Sequence, residues 1–254
     1  MKELHDMANS KRIALGLDFG TESVRALLVD LNGNEVASSV SQYKHGQITE
    51  TLPTTGEKLP PQFALQDPHD RPDRGGRPCG GAHQRGKVQA DQVVSIGVYF
   101  TSCTMLPALA DGTALCKADK LGEQKFAWPK LWKHHGALTQ TQKINDVAAK
   151  RKEKWLDRYG GIIGLEWFFP KILETLENAP EIYDATEVWL EGGDWLVWQL
   201  VAAGEACSAD ELPRSTCQAG YKAMWNSTDG YPSPAFFKAL DKRMEHVVRD
   251  KMPG

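Results

Sequence analysis

Two short β-favouring runs, "RIALGLD" at residues 12–18 and "SVRALLVD" at residues 23–30, are separated by a turn that contains Gly20. Apolar runs of this length bounded by a glycine turn read as adjacent strands. The next connection is Asn32-Gly33-Asn34, followed by "EVASSVSQY". Asn-Gly between apolar runs signals a tight primed turn, whose two central residues both take positive φ. The start of the chain is thereby committed to three antiparallel strands. A fourth run, "QVVSIGVYF" at residues 92–100, is apolar almost throughout, which predicts a strand central to the sheet and buried on both faces.

From Gly122 onward the texture changes. The segments "QKFAWPKLWKHHGALTQTQKINDVAAKRKEKWLDRY", "EWFFPKILETLENAPEIYDA" and "GDWLVWQLVAA" read as helices interrupted near Pro129, Gly136, Gly160 and Pro180. Strands first and helices later give the α/β class with α+β layering around a mixed sheet flanked by helices. With 254 residues, 41% hydrophobic, and eight tryptophans, the chain can fill one large core or two modest ones.

A formal net charge of −3 supplies no global positive field for nucleic acid or an anionic membrane, so a small-molecule partner is expected. The five cysteines are odd in number and include no C-x-x-C pair, which argues against a disulfide framework or a zinc knuckle and fits a reducing compartment. "MKELHDMANSKR" lacks the apolar stretch of a signal peptide, and no apolar run approaches the roughly 18 residues of a membrane span. The expected address is cytoplasmic.

Residues 71–86, "RPDRGGRPCGGAHQRG", contain no Val, Ile, Leu, Met, Phe, Trp or Tyr but four Arg, two Pro and five Gly. Such a stretch should form neither an amphipathic helix nor a core strand. Between the third and fourth strands a packed helix ordinarily covers the sheet, so a structureless excursion there signals something missing. The arginines lack aromatic interleaving and are flanked by Asp67, Asp70 and Asp73, a poor nucleic-acid site.

Several short motifs can carry chemistry. Asp18, Gly20 and Thr21 sit where a strand doubles back. Glycine permits close approach to a phosphate, amides and the Thr21 hydroxyl can donate to it, Asp18 can hold Mg²⁺ through water, and Arg25 can reach a further oxygen. An ordinary hairpin turn accounts for the same residues. Thr101, Ser102, Cys103 and Thr104 follow the fourth strand, where polar groups line ligand clefts in layered α/β proteins or simply close a hairpin. Lys222, between Tyr221 and Trp225, can bond a sugar hydroxyl or lie on the surface as a snorkelling lysine. The histidines of "LWKHHG" match no metal spacing, and Glu166 and Asp194 fit helix-start carboxylates. No G-x-S-x-G, H-E-x-x-H or G-x-x-x-x-G-K-[ST] occurs, which removes support for hydrolase, zincin and P-loop chemistry. A ribonuclease-H-like nuclease would need further carboxylates converging on the metal of Asp18, and none is identifiable.

In order along the chain, "LGLDFGTESVRALLVD", "GEKLPPQFALQDPHD", "VSIGVYFTSCTMLPALADGTALC", "KLWKHH", "RYGGIIGLEWFFPKILETLENAPEIYDA" and "CQAGYKAMWNSTDGYPSPAFFKALD" resemble the N-terminal half of the ribulose-phosphorylating members of the FGGY carbohydrate kinase family. The resemblance implies a ribonuclease-H-like, actin-like ATPase domain over residues 1–254, with residues 71–86 anomalous. It also implies transfer of the γ-phosphoryl of ATP, with Mg²⁺, to the terminal hydroxyl of ribulose. Such transfer rests on positioning and charge neutralisation. Asp18, Gly20, Thr21 and Arg25 match the family's first phosphate loop. Ser102 and Cys103 match its sugar-contacting turn, Lys222 its sugar-binding lysine, and Glu166 a further sugar-side position.

Three departures accompany the resemblance. The family's catalytic aspartate and its nucleotide-binding C-terminal domain fall beyond Gly254. The expectation is therefore a segment that does not turn over ribulose alone and needs a C-terminal kinase half as partner, or a non-catalytic remnant that binds sugar. Tyr99 stands where the family has aspartate, exchanging a small anion for a bulky phenol. Residues 71–86 replace a family helix. Gly codons of the form GGN become GNG on a one-base shift, encoding Val, Ala, Glu or Gly, the vocabulary of that helix, so a compensated double frameshift explains the segment. Resequencing the coding DNA should reveal two compensating shifts whose correction restores an amphipathic helix; a reading frame with no such correction contradicts this.

Overall fold

The computed structural model describes residues 12–70, 81–82, 84–201, 208–212 and 214–253. The chain divides into two compact units, one drawn from residues 1–46 and 67–101, the other from residues 47–66 and 102–254.

The first unit is built on a four-stranded sheet of β1 (Ile13–Phe19), β2 (Ser23–Asp30), β3 (Glu35–Gln42) and β4 (Val93–Phe100). Their order is β3-β2-β1-β4, with the first three antiparallel and β4 parallel to β1. The opening meander is as the sequence indicates. On β1 the side chains of Ile13, Leu15, Leu17 and Phe19 are buried, while Gly16 is exposed. This is the period-two sorting of a strand with one covered face.

Two expectations change here. The β2–β3 connection is looser than a two-residue primed turn: of its residues only Gly33 has positive φ, at 89°. The Asp30 carboxylate accepts hydrogen bonds from the Asn32 and Asn34 amides and the Asn34 side chain, each at 2.9 Å. Those contacts satisfy a wider loop, and the strand register shifts between Leu28 and Val29. The second change concerns β4. It forms an edge of the described sheet rather than its centre, with Ile96 58% and Tyr99 71% exposed. Its apolar sequence suits a covered strand, but among the described residues none pairs with its outer edge.

Residues 81, 82 and 84–86 are helical, contrary to the expectation of an unstructured run, while residues 71–80 lie outside the described residues. The helical turn packs on β3 by being small. Ala82 is fully buried, a Cβ at Gly81 would meet Ser39 Oγ at 2.7 Å, and one at Gly86 would meet Val36 and Ala37 at 3.2 Å. Arg85 donates to the Ser38 carbonyl at 2.8 Å.

In the second unit, β5 (Met105–Ala108) pairs antiparallel with β6 (Val188–Glu191), and Lys130 bridges Met105 to Leu65, which bridges Ile48. The residues 101–104 therefore lead into a strand that pairs with β6, and close no hairpin with β4. Seven helices are described: α1 (Leu138–Arg151), α2 (Phe168–Asn178), α3 (Pro180–Ala185), α4 (Gly192–Val201), α5 (Thr216–Lys222), α6 (Pro234–Leu240) and α7 (Val247–Lys251). Of the helical segments expected on either side of Pro129, only a 3₁₀ turn at Lys125–Ala127 forms before Gly136. Pro129 marks a break as expected, and Lys130 after it takes up strand-like pairing. Gly160, at φ +73°, and Pro180, at the start of α3, mark breaks as expected.

Helix α2 is buried without interruption from Phe168 to Leu176, the mark of a helix surrounded by core. Its Phe169 meets Phe237 of α6 with ring centroids 4.7 Å apart, and Trp155 meets Phe236 at 5.2 Å. A second cluster gathers Leu52, Leu65, Leu115, Trp128 and Trp198. Among the described residues no helix is long and apolar enough to cross a membrane.

Gly33→Val places a branched side chain at positive φ and should cost about 1–2 kcal/mol. The expected reading is a lower urea midpoint with an unchanged slope; an unchanged midpoint would show that the turn tolerates the substitution.

Candidate functional site

Three residues far apart in sequence meet in the second unit. Cys103 follows Ser102 in the turn before β5 and takes φ +69°, unusual for a residue with a side chain. Its thiol donates to the Glu166 carbonyl at 2.6 Å. Burial pushes that thiol up to about 12, so it is a neutral donor rather than a nucleophile. The Glu166 carboxylate lies 3.3 Å from Lys222 Nζ, with Lys222 at the end of α5 and only 14% exposed. The Lys222 ammonium also sits 5.0 Å from the centroid of the Tyr221 ring, a cation–π contact. Partial burial works to raise the Glu166 carboxyl, but its own backbone amide and Lys222 outweigh this and hold it below the usual carboxylate range.

Local sequence explains the placement. A Cβ at Gly164 would fall 2.6 Å from a Glu166 carboxylate oxygen, so only glycine leaves the carboxylate where it is. The Tyr159 hydroxyl bonds the Gly220 carbonyl at 3.0 Å, fixing the last turn of α5. Ser215 caps that helix through the Gln218 amide, and Asp194 at the start of α4 accepts the Ser215 amide at 2.8 Å. Asp194 is thus engaged near a helix start, as its sequence position suggests.

Ionisable groups fill the interior beside this site. Lys171 Nζ donates to the Cys103 carbonyl at 2.6 Å and the Leu131 carbonyl at 2.9 Å. Glu191 accepts the Cys103 amide at 2.8 Å. Lys130 Nζ reaches Glu174 at 2.6 Å, Thr175 Oγ1 at 2.8 Å and the Lys171 carbonyl at 2.9 Å. His134 Nδ1 accepts the Ala64 amide at 3.3 Å, which leaves Nε2 to donate to Glu174 at 2.9 Å. Burial lowers His134 to about 4, so the ring is neutral. Burial opposes ionisation of Glu174, but Lys130 and then His134 outweigh it and bring the group to about 2. Burial raises Glu191 to about 8 against the pull of Lys171.

Lys171 and Glu191 escape sequence reasoning. The available signals are a lone lysine inside the apolar run "EWFFPKILETL" and a glutamate ending "VWLE"; both read as surface positions until the fold buries them. His134 takes a structural role, as its spacing indicates.

The phosphate-loop candidates lie together in the first unit. Asp18 on β1 pairs across to Arg25 on β2, with the guanidinium 2.5 Å from the carboxylate. Gly20 donates its amide to the Ser23 carbonyl at 3.0 Å, so that donor closes the turn rather than facing a ligand. Thr21 is partly buried at its tip. Tyr99 is level with Asp18 on the neighbouring strand. Asp18, Arg25, Leu27, Val40 and Tyr99 line a shallow concavity of about 630 Å³ on the sheet face. Among the described residues no three metal-ligating side chains converge. The Asp18 carboxylate is engaged by Arg25.

No family profile matches the chain. Its fold is that of the actin-like sugar kinases. The chain superposes on 47% of the xylulose kinase from Bifidobacterium adolescentis over 95% of its own length, with a TM-score of 0.67 and 16% identity. For the xylulose kinase from Rhodospirillum rubrum the values are 42%, 95%, 0.60 and 16%. In sequence it is similar to the N-terminal part of ribulokinases. It is 43% identical over 244 residues to the ribulokinases of Geobacillus thermodenitrificans and Anoxybacillus flavithermus. These alignments cover 96% of this chain and 42% of each relative, so the chain spans less than half the length of the curated relatives it matches.

The buried charges set a pH dependence of stability. His134, ordinarily near 6.5 and about 4 when folded, contributes stability that is present above pH 6.5 and lost as the pH falls through 4. Glu174, at about 2, does the same between 4.5 and 2, whereas raised Glu191 contributes stability lost as the pH rises toward 8. The His134 share is roughly 3 kcal/mol. Urea unfolding at pH 7, 5.5 and 4 should show a steeper decline for the natural chain than for His134→Gln; parallel declines would contradict the assignment.

Proposed function

We propose that this chain is the acceptor-binding portion of an ATP-dependent ketose kinase that phosphorylates the terminal hydroxyl of ribulose. The observation that carries this reading is the convergence of Cys103, Glu166 and Lys222 on one site, three residues that match the sugar-contacting positions of the resembled family. An ammonium and a carboxylate 3.3 Å apart offer one donor group and one acceptor group at the spacing of neighbouring sugar oxygens. Lys222 donates to a sugar carbonyl or hydroxyl, and Glu166 accepts from the next hydroxyl. Ser102 supplies a further hydroxyl, and the Cys103 backbone sets its position. Lys222 is largely shielded, so its bonds to the sugar compete with little water.

The same reading gives phosphate contacts to Thr21 and Arg25, with Asp18 toward the hydrated Mg²⁺ that accompanies ATP and shields its phosphate charge. Gly20 shapes that turn. Phosphoryl transfer also needs a group that orients or deprotonates the attacking hydroxyl. Of the carboxylates beside the acceptor site, Glu166 is engaged by Lys222, and Glu191 is buried beneath Cys103. The reading therefore assigns the base to the portion of a ribulokinase that these 254 residues do not match, and makes that C-terminal portion the partner needed for turnover. The 58% of each relative outside the alignment supports this assignment.

Titration calorimetry should detect ribulose binding to the chain, weakened at least tenfold in Lys222→Met at unchanged melting temperature. Ribulose phosphate should form from ATP only when the C-terminal portion of a ribulokinase is added. Absence of ribulose binding would overturn the acceptor reading, and turnover by the chain alone would overturn the assignment of the base.

A further inference from the structure

Two buried ionisable groups in the second unit have no part in the reaction described above, yet both act on one peptide of the acceptor turn. Cys103 holds a left-handed conformation that a side chain disfavours, and each of its polar groups is committed to a different element. Its amide donates to Glu191 at the end of β6 at 2.8 Å, and its carbonyl accepts from Lys171 of α2 at 2.6 Å. Its thiol donates to the Glu166 carbonyl at 2.6 Å, just before α2. Lys171 is fully buried and Glu191 only 2% exposed.

Among the described residues no ion pair joins Lys171 to Glu191; they grip opposite sides of Cys103 instead of neutralising each other directly. The second Lys171 bond, to the Leu131 carbonyl, and a 2.7 Å bond from the Gly192 amide to the Thr104 carbonyl extend the clamp on either side. Among the described residues, Glu191 Oε1 and the Thr104 hydroxyl are buried without a hydrogen-bond partner.

We propose that Lys171 and Glu191 are positioning residues of the acceptor site. They lock the turn from Ser102 to Thr104 through the Cys103 peptide, and thereby place the Ser102 hydroxyl beside the Glu166–Lys222 pair. The inference rests on the reading of that pair as the ketose site. A structural role alone would lower stability and leave the affinity of the folded protein for ribulose unchanged. A positioning role changes affinity beyond what stability explains.

The test uses the 254-residue chain, with ribulose as ligand and two readouts: the calorimetric dissociation constant and the hydrogen-exchange rate of the Cys103 amide under [15N]cysteine labelling. Glu191→Leu and Lys171→Met should each weaken ribulose binding at least tenfold and speed Cys103 exchange at least a hundredfold. Glu191→Gln, which keeps an acceptor oxygen, should stay within threefold of the natural chain in both. Glu174→Gln disturbs the neighbouring charge cluster without touching Cys103; it should lower the melting temperature and leave the dissociation constant within twofold. Should the leucine and methionine variants not fold, Glu191→Asp withdraws the acceptor by one methylene and should still weaken binding threefold and speed exchange tenfold. Natural affinity and natural Cys103 exchange in these variants would overturn the proposal. Failure of the natural chain to bind ribulose would instead overturn the acceptor reading, while the exchange rates still decide whether Lys171 and Glu191 hold the turn.

Discussion

An ammonium group with no access to water has to spend its hydrogen bonds inside the protein, and Lys171 is such a group. Its bonds to the Cys103 and Leu131 carbonyls draw the turn from Ser102 to Thr104 and the strand-like segment after Lys130 onto α2. Lys130 repeats the arrangement one step away, bonding the Lys171 carbonyl, Thr175 and Glu174. Burial lowers both lysines from their usual range, and Glu174 offsets this at Lys130. Removing one member of such a cluster leaves the others buried and unpaired, which typically costs about 3–5 kcal/mol. Apolar packing around Phe169, Trp189 and Phe237 supplies the surroundings, and the buried charges specify which backbone segments meet there.

The first unit follows a simpler logic. Alternation buries one face of β1, and the other face presents Asp18 and Arg25 beside Leu27, Val40 and Tyr99. Tyr99 stands level with Asp18, in a place where the resembled family carries an aspartate. Arg25 is the described ion-pair partner of the Asp18 carboxylate. Exposed Val94, Ile96 and Tyr99 on β4 make this strand the most apolar exposed edge of the sheet, a feature that promotes association.

Local signals in the chain carried the fold further than the site. Strands β1 to β3 are legible because their pattern is purely local: alternation, a glycine turn and an Asn-Gly connection. The edge position of β4 is not legible, because an apolar run reports what a strand is suited to and not which strands lie beside it. The helical turn at residues 81, 82 and 84–86 was hidden for another reason: Ala82, Gly81 and Gly86 pack by being small, and small residues leave no apolar pattern. Lys222 and Cys103 stood out as candidates only through family resemblance, since lysine between aromatics and cysteine after a strand have commoner explanations. Lys171 and Glu191 were invisible to both routes, because charged residues in apolar runs gain meaning only when a distant peptide closes on them.

The central claim is that one polar core in the second unit presents Cys103, Glu166 and Lys222 to a ketose. It is tested most directly by following the amide spectrum of [15N]cysteine- and [15N]lysine-labelled chain while ribulose is added. The account predicts saturable shifts at Cys103 and Lys222 that share one dissociation constant, with Cys116 and Lys58 unmoved. Ribulose that leaves Cys103 and Lys222 unshifted at saturating concentration would contradict it.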